Sequence, residues 1–225
     1  MTLQNKLDEF RTRFESGQLP FKPTPEQLEI MKRATKELID SGLAKRALKV
    51  GDTAPDFALE DADGNFVRLE ELLARGPLVL SFYRGVWCPY CNIELQALEA
   101  ARNAIVDHGA QLVAVSPQTA SNSRKSQRDN RLGFPILSDP RSELAAAFGI
   151  RFQMPDDLIE LYKGFGNNLP LVNDDPSWRL PMPARYVIGT NRAIAYAEVS
   201  PDYTRRPDPS VLLPVLDRLR KEQGR

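Results

Sequence analysis

Cys88 and Cys91 are the chain's only two cysteines, and they lie three residues apart in the run Trp87-Cys88-Pro89-Tyr90-Cys91. Two cysteines scattered at random would take this spacing in about one chain in a hundred, so the arrangement points to a dithiol site. Its chemistry depends on where a helix begins. Orphan backbone N–H groups and the positive end of the helix dipole favour an anion, so a cysteine at that point is held as the thiolate, the form that attacks. Cys88 has that position, because Pro89 suits the first turn of a helix, where its missing N–H costs nothing. Cys91, one turn on, faces the same way and can attack a bond formed at Cys88. Lowering a thiol pKa from about 8.5 to about 6 raises the thiolate from a few per cent to about nine-tenths at pH 7. The plain alternative is two buried small apolar residues. Trp87 is expected to shield the dithiol or to pack in the core, and Tyr90 to be exposed on the loop, where its phenol could touch a substrate.

The elements that must hold this run can be read on either side of it. Pro77 to Tyr83 is almost continuously apolar and β-rich, as a strand buried on both faces should be. Asn92 to Val106 has helix-forming composition, and Gln111 to Ser116 reads as a second buried strand after Gly109, which makes a right-handed βαβ unit. Phe57–Leu59 and Phe66–Arg68 flank a turn, and Arg185–Ile188 with Ala193–Val199 form a further hairpin. Pro135 to Leu137 is a short edge strand, Arg141 to Phe148 a helix stopped by Gly149, and Val211 to Leu219 a closing amphipathic helix. The proline-rich stretch 153–182 lacks clear periodicity and is expected to be a lid or mobile excursion.

Upstream, Leu3, Leu7, Phe10 and Phe14 line one face of a helix, and Thr24, Pro25 and Gln27 supply a cap, a first-turn proline and a capping-box partner for another. These faces cannot be buried alone, so the arm must pack on the main domain or on a second copy of the chain. The division expected is a helical extension over 1–49 and an α/β domain over 50–225.

Composition narrows the partners. Thirty Lys and Arg balance thirty Asp and Glu, leaving no field for a polyanion or an anionic membrane. Arg124, Lys125, Arg128 and Arg131 form a basic run, but Asp129 interrupts it and no aromatic residue interleaves, so it reads as a solvated helix face. One histidine, His108, and two cysteines are too few soft ligands for a zinc site, and neither a metal nor a cofactor is expected. His108 sits where a helix C-terminus should be and reads as structural. No signal-like or spanning apolar stretch is present, which suggests the cytosol, a compartment where free thiols persist.

The run Val79-Leu80-Ser81-Phe82-Tyr83-Arg84-Gly85-Val86-Trp87-Cys88-Pro89-Tyr90-Cys91 resembles the alkyl hydroperoxide reductase/thiol-specific antioxidant family, the peroxiredoxins and their relatives on the thioredoxin fold. Gly51-Asp52-Thr53-Ala54-Pro55-Asp56-Phe57 and Phe134-Pro135-Ile136-Leu137-Ser138-Asp139 extend the resemblance over about residues 50 to 222. It implies a central mixed sheet flanked by helices, a cis bond before Pro183 facing the dithiol, and an arginine that polarises peroxide, a role open to Arg84 or Arg185. The family's Pro-x-x-x-Thr/Ser-x-x-Cys motif is missing. Ungapped alignment from Phe82-Tyr83 places Cys91 at the peroxide-attacking position and Cys88 at the hydroxyl's, whereas alignment on Trp-Cys-x-x-Cys makes Cys88 the nucleophile; the helix-end argument prefers the second.

The activity implied is a thiol-dependent peroxidase in which a thiolate attacks the peroxide, the sulfenic acid condenses with the other thiol, and an external thiol restores the pair. A thioredoxin-like protein or glutathione would be that donor, and a homodimer is a further candidate assembly. Trp-Cys-Pro-Tyr-Cys itself looks more like a thiol–disulfide oxidoreductase of thioredoxin or glutaredoxin type. A non-enzymatic redox sensor that binds a partner through its N-terminal helices is the third reading.

Overall fold

A computed structural model describes residues 1–222 and Gly224. Local capping sets the first elements. Helix α1 (Leu3–Glu15) starts where the Thr2 hydroxyl accepts from the Asn5 N–H, and α2 (Pro25–Asp40) where Thr24 and Gln27 form a reciprocal capping box. A hairpin of β1 (Ala58–Glu60) and β2 (Phe66–Arg68) and the short helix α3 (Leu69–Leu73) lead into β3 (Leu78–Phe82), every residue of which is buried.

Helix α4 (Pro89–Asp107) and strand β4 (Gln111–Ser116) follow, then α5 (Ala120–Asn130), β5 (Ile136–Ser138) and α6 (Glu143–Ala147). The expected helix from Arg141 is shorter, because Arg141 and Ser142 take positive φ and α6 starts only where both Asp139 carboxylate oxygens accept the Leu144 and Ala145 N–H groups.

Stretch 153–182 corrects the expectation of an irregular excursion. Strand β6 (Arg151–Gln153) pairs with β7 (Arg179–Pro181), and between them lie α7 (Asp156–Gly164) and α8 (Leu169–Asn173). Pro155 and Pro170 start these helices rather than break them, and Met154, Leu158, Tyr162, Trp178 and Leu180 bury an apolar cluster of their own with Ala34 of α2. The chain ends in β8 (Ala184–Ile188), β9 (Ile194–Val199) and α9 (Leu213–Glu222).

The central sheet has the order β5-β4-β3-β8-β9, with β3, β4 and β5 parallel and β8 and β9 antiparallel to their neighbours. Strand alternation splits the apolar run of β3 between two cores. Leu78, Leu80 and Phe82 pack with Phe57, Phe148 and Tyr186 on one side. Val79 and Tyr83 pack on the other with Leu95 and Leu98 of α4, Leu3 and Leu7 of α1, and both cysteines. The arm therefore lies on the dithiol face of its own chain. No helix among the described residues is long and apolar enough to cross a membrane.

Candidate active site

The turn from β3 into α4 is clamped at its middle residue. The Val86 N–H donates to Gln118 Oε1 at 2.7 Å, while the Val86 carbonyl accepts from Asn92 Nδ2 at 2.9 Å. Gln118 is fully buried, and its Nε2 donates to the Tyr83 hydroxyl at 2.7 Å and to Ser123 and Ser126 at 3.2 Å each. Gly85 is required by this path: its φ is +141°, and a Cβ there would lie 2.6 Å from Trp87 Nε1.

Cys88 is the N-cap residue of α4, Pro89 opens the helix, and Cys91 lies one turn on. Both thiols are free and buried, at 1% and 0% exposure. Burial pushes the Cys88 thiol up, but the Cys91 thiol, the Arg84 guanidinium, the Cys91 backbone N–H and Arg206 outweigh it, so its pKa falls from 9.0 to about 6. Burial and the neighbouring Cys88 push Cys91 well above its ordinary value. A thiolate beside a protonated thiol is what a stepwise dithiol reaction requires.

Arg84 is the cation that most favours that thiolate, ahead of Arg206. It is 2% exposed and lies over the rings of Tyr203 at 4.3 Å, Trp87 at 4.7 Å and Tyr162 at 5.8 Å, while Nη2 donates to the Tyr162 hydroxyl at 2.8 Å. Its Nε and Nη1, like Trp87 Nε1, have no hydrogen-bond partner among the described residues. Burial works against its charge, but the Tyr162, Cys88 and Tyr203 acidic groups more than compensate, so Arg84 stays cationic. Arg185, the other expected arginine, is engaged elsewhere: its Nη2 donates to Glu94 Oε1 at 2.8 Å. Arg206 Nε takes the other carboxylate oxygen at 2.7 Å, so one buried anion serves two buried cations.

A cavity of about 280 Å³ lies against Cys88, walled by Arg84, Trp87, Tyr162, Tyr203, Phe10 and Phe21. Arg84 and Tyr203 also border a second cavity of about 720 Å³, where Pro183 sits beside Arg151 and Phe152. Two expectations need correcting. Tyr90 is 5% exposed, held edge-on by Phe10 at 5.0 Å and Tyr203 at 5.4 Å, residues that come from the two ends of the chain. The Met182–Pro183 bond is trans, since no cis peptide occurs among the described residues. Here the chain runs straight from β7 into β8, with the Met182 N–H donating to Ile150 O and the Pro183 carbonyl accepting from Ser200 N–H, both at 2.8 Å, and trans is the default isomer.

Of the residues singled out in the sequence, Cys88, Cys91, Arg84 and Trp87 converge, whereas Arg185 lies behind them on Glu94 and Pro183 borders the second cavity. Tyr162, Tyr203, Arg206, Glu94 and Gln118 carried no motif and were missed. A buried glutamate in the middle of a helix needs paired cations, which is the one signal that could have suggested Arg206. His108 ends α4 with Nδ1 2.6 Å from Ala104 O, on a different part of the molecule. Lys125 and Asp129 pair along the exposed side of α5. Among the described residues no group of three His, Cys, Asp or Glu side chains converges as a metal site would.

A mixed sheet of this order, carrying a dithiol at the N-terminus of the helix that follows its central strand, defines a protein of the thioredoxin fold. The AhpC/TSA family model matches residues 50–197, and the chain belongs to that family. A Mycobacterium tuberculosis protein provisionally named a peroxiredoxin is 34% identical over 104 residues, 46% of this chain and 68% of the relative. The thiol-disulfide oxidoreductase ResA of Geobacillus thermodenitrificans is 32% identical over 107 residues, 47% of this chain and 60% of the relative. The crystal structure of peroxidoxin BcpB from Mycobacterium tuberculosis superposes with a TM-score of 0.60 at 25% identity, covering 77% of this chain and 97% of that one.

Proposed function

We propose that this chain is a thiol-dependent peroxidase in which Cys88 attacks and Cys91 resolves. The observation that carries the assignment is the placing of Cys88 at the α4 N-terminus beside Arg84, which favours its thiolate, with a protonated Cys91 one turn away. In the first step the Cys88 sulfur attacks the peroxide's terminal oxygen and the O–O bond breaks. Cys88 becomes a sulfenic acid, and the departing alkoxide or hydroxide takes up a proton to leave as alcohol or water. The unpaired N–H groups of Arg84 and Trp87 Nε1 are suited to hold the peroxide oxygens as charge moves onto the leaving one. In the second step Cys91 sulfur displaces the sulfenic oxygen as water, giving the Cys88–Cys91 disulfide. Two electrons from an external thiol donor, a thioredoxin-like protein or glutathione, restore the dithiol. A cytosolic setting, where such donors abound, suits the cycle.

The experiment is peroxide consumption with a thiol donor in excess. Unsubstituted protein is expected to turn over hydrogen peroxide or an organic hydroperoxide, and Cys88→Ser to be inactive; equal rates for the two would end the assignment. The Cys-x-x-Cys spacing, shared in kind with disulfide reductants, favours one second reading, thiol–disulfide exchange. Rapid reduction of a glutathione mixed disulfide with negligible peroxide turnover would select it.

A further inference from the structure

Part of the wall of the cavity beside Cys88, including Phe10, Phe14 and Phe21, lies outside the stretch matched by the family, residues 50–197. Phe10 of α1 stands edge-on to Tyr90 at 5.0 Å. Phe14 stacks near Phe21 at 6.4 Å, and Phe21 meets Phe165 edge-on at 4.8 Å. This aromatic chain crosses from the arm to the end of α7. The arm is anchored as well as apposed, with Leu3 and Leu7 at 2% and 0% exposure in the same core as both cysteines. It also binds the segment that follows β9. The Leu3 N–H donates to Asp208 Oδ2 at 3.0 Å, Gln4 Nε2 to Thr204 O at 3.3 Å, and the Arg206 N–H to Gln4 Oε1 at 2.9 Å. Tyr203 and Arg206, two of the groups around the dithiol, are therefore held in place by the N-terminal helix.

Size then decides what reaches the sulfur. A water's share of liquid volume is about 30 Å³, so a cavity of about 280 Å³ holds a peroxide or a small organic thiol. A protein partner needs a contact face of several hundred Å² around the sulfur, even for weak redox encounters. Cys88 at 1% exposure offers none.

We propose that the N-terminal arm, through Phe10 and Phe21, is the specificity-determining wall of the dithiol site: closed, it admits small molecules, and a protein thiol or disulfide reaches Cys88 only when the arm lifts. The inference takes its meaning from the dithiol reading above, but its test does not use peroxide turnover, so either can fail alone.

The test measures alkylation of Cys88 as the single thiol, in a Cys91→Ser background, by N-ethylmaleimide and by a maleimide carrying a long polyethylene glycol chain. Each rate is referred to that of the same chain unfolded in denaturant, which removes the reagents' intrinsic difference. In the folded protein the polymer reagent is expected to be slowed about 100-fold more than the small one, because it must wait for opening. Phe21→Ala is expected to speed the polymer reagent about tenfold, from loss of one edge-on ring contact and its burial, and the small reagent less than about threefold. Phe21 is 43% exposed, so its replacement leaves the core intact, and Phe10→Ala, checked by circular dichroism, should act in the same direction. Equal slowing of the two reagents in the unsubstituted arm, or an unchanged ratio in Phe21→Ala, would overturn the proposal.

Discussion

Replacing Arg84 by methionine keeps much of the side chain's volume among the three rings and removes the charge beside the dithiol. Burial opposes the Cys88 thiolate, and the Cys91 thiol followed by the Arg84 guanidinium outweighs it to bring the pKa to about 6. An opposite charge at close range moves a pKa by about 1–3 units, so Arg84→Met should carry Cys88 to about 7.5. At pH 7 the thiolate then falls from about nine-tenths to about one-quarter of the molecules, a loss of about fourfold in any reaction that needs it. Peroxide turnover should fall further, because the variant also lacks the N–H donors that would hold the leaving oxygen. The measurement is the difference in pH midpoint of iodoacetamide modification among the arginine, Arg84→Met and Arg84→Lys proteins, all in one Cys91→Ser background so that loss of the Cys91 thiol is common to the three. The lysine keeps the charge without the fork, so its midpoint should fall between those of arginine and methionine. Identical midpoints for all three proteins would refute the electrostatic role given to Arg84.

Glu94→Gln leaves Arg185 and Arg206 buried with no anion between them, and should destabilise the protein by about 3–5 kcal/mol in urea unfolding; a change below about 1 kcal/mol would mean the cations are paired otherwise. Gly85→Ala forces a side chain into a +141° backbone and against Trp87, and should cost about 1–3 kcal/mol and slow Cys88 alkylation, as thermal unfolding and thiol titration would reveal. Reduced protein should gain stability relative to Cys88→Ser as pH rises. The folded Cys88 pKa lies below that of an ordinary thiol, so the contribution is fully present above the ordinary thiol value and is lost as pH falls through about 6. A flat difference between pH 6 and 9 would contradict the thiolate assignment.

Strands whose apolar runs are nearly continuous, β3, β4 and β8, were legible within a residue or two, because a sheet buried on both faces needs little else from its sequence. The capping box at Thr24 and the start of α4 at Pro89 were legible for the same kind of local reason. Helix α7 was not. Pro155 at its N-cap resembled loop punctuation, and Leu158, Ile159, Leu161 and Tyr162 show their common face only once Met154 and Trp178 pack against them. The site divides along the same line. Cys88, Cys91, Arg84 and Trp87 belong to one turn and could be found by spacing, whereas Tyr203, Arg206 and Glu94 meet only through tertiary structure, the last two 112 positions apart. Tyr90 looked like a loop residue because Phe10, the ring that covers it, is 80 residues earlier in the chain.

The order of attack is the centre of the account, and intact mass reads it most directly. Reduced Cys91→Ser and Cys88→Ser proteins are each mixed with one equivalent of hydrogen peroxide and trapped with dimedone. Cys91→Ser should gain a single sulfenic adduct at Cys88 within the time of one turnover, while Cys88→Ser stays unmodified. An adduct on Cys91 in Cys88→Ser, with Cys91→Ser left unreacted, would reverse the roles and contradict the site as described.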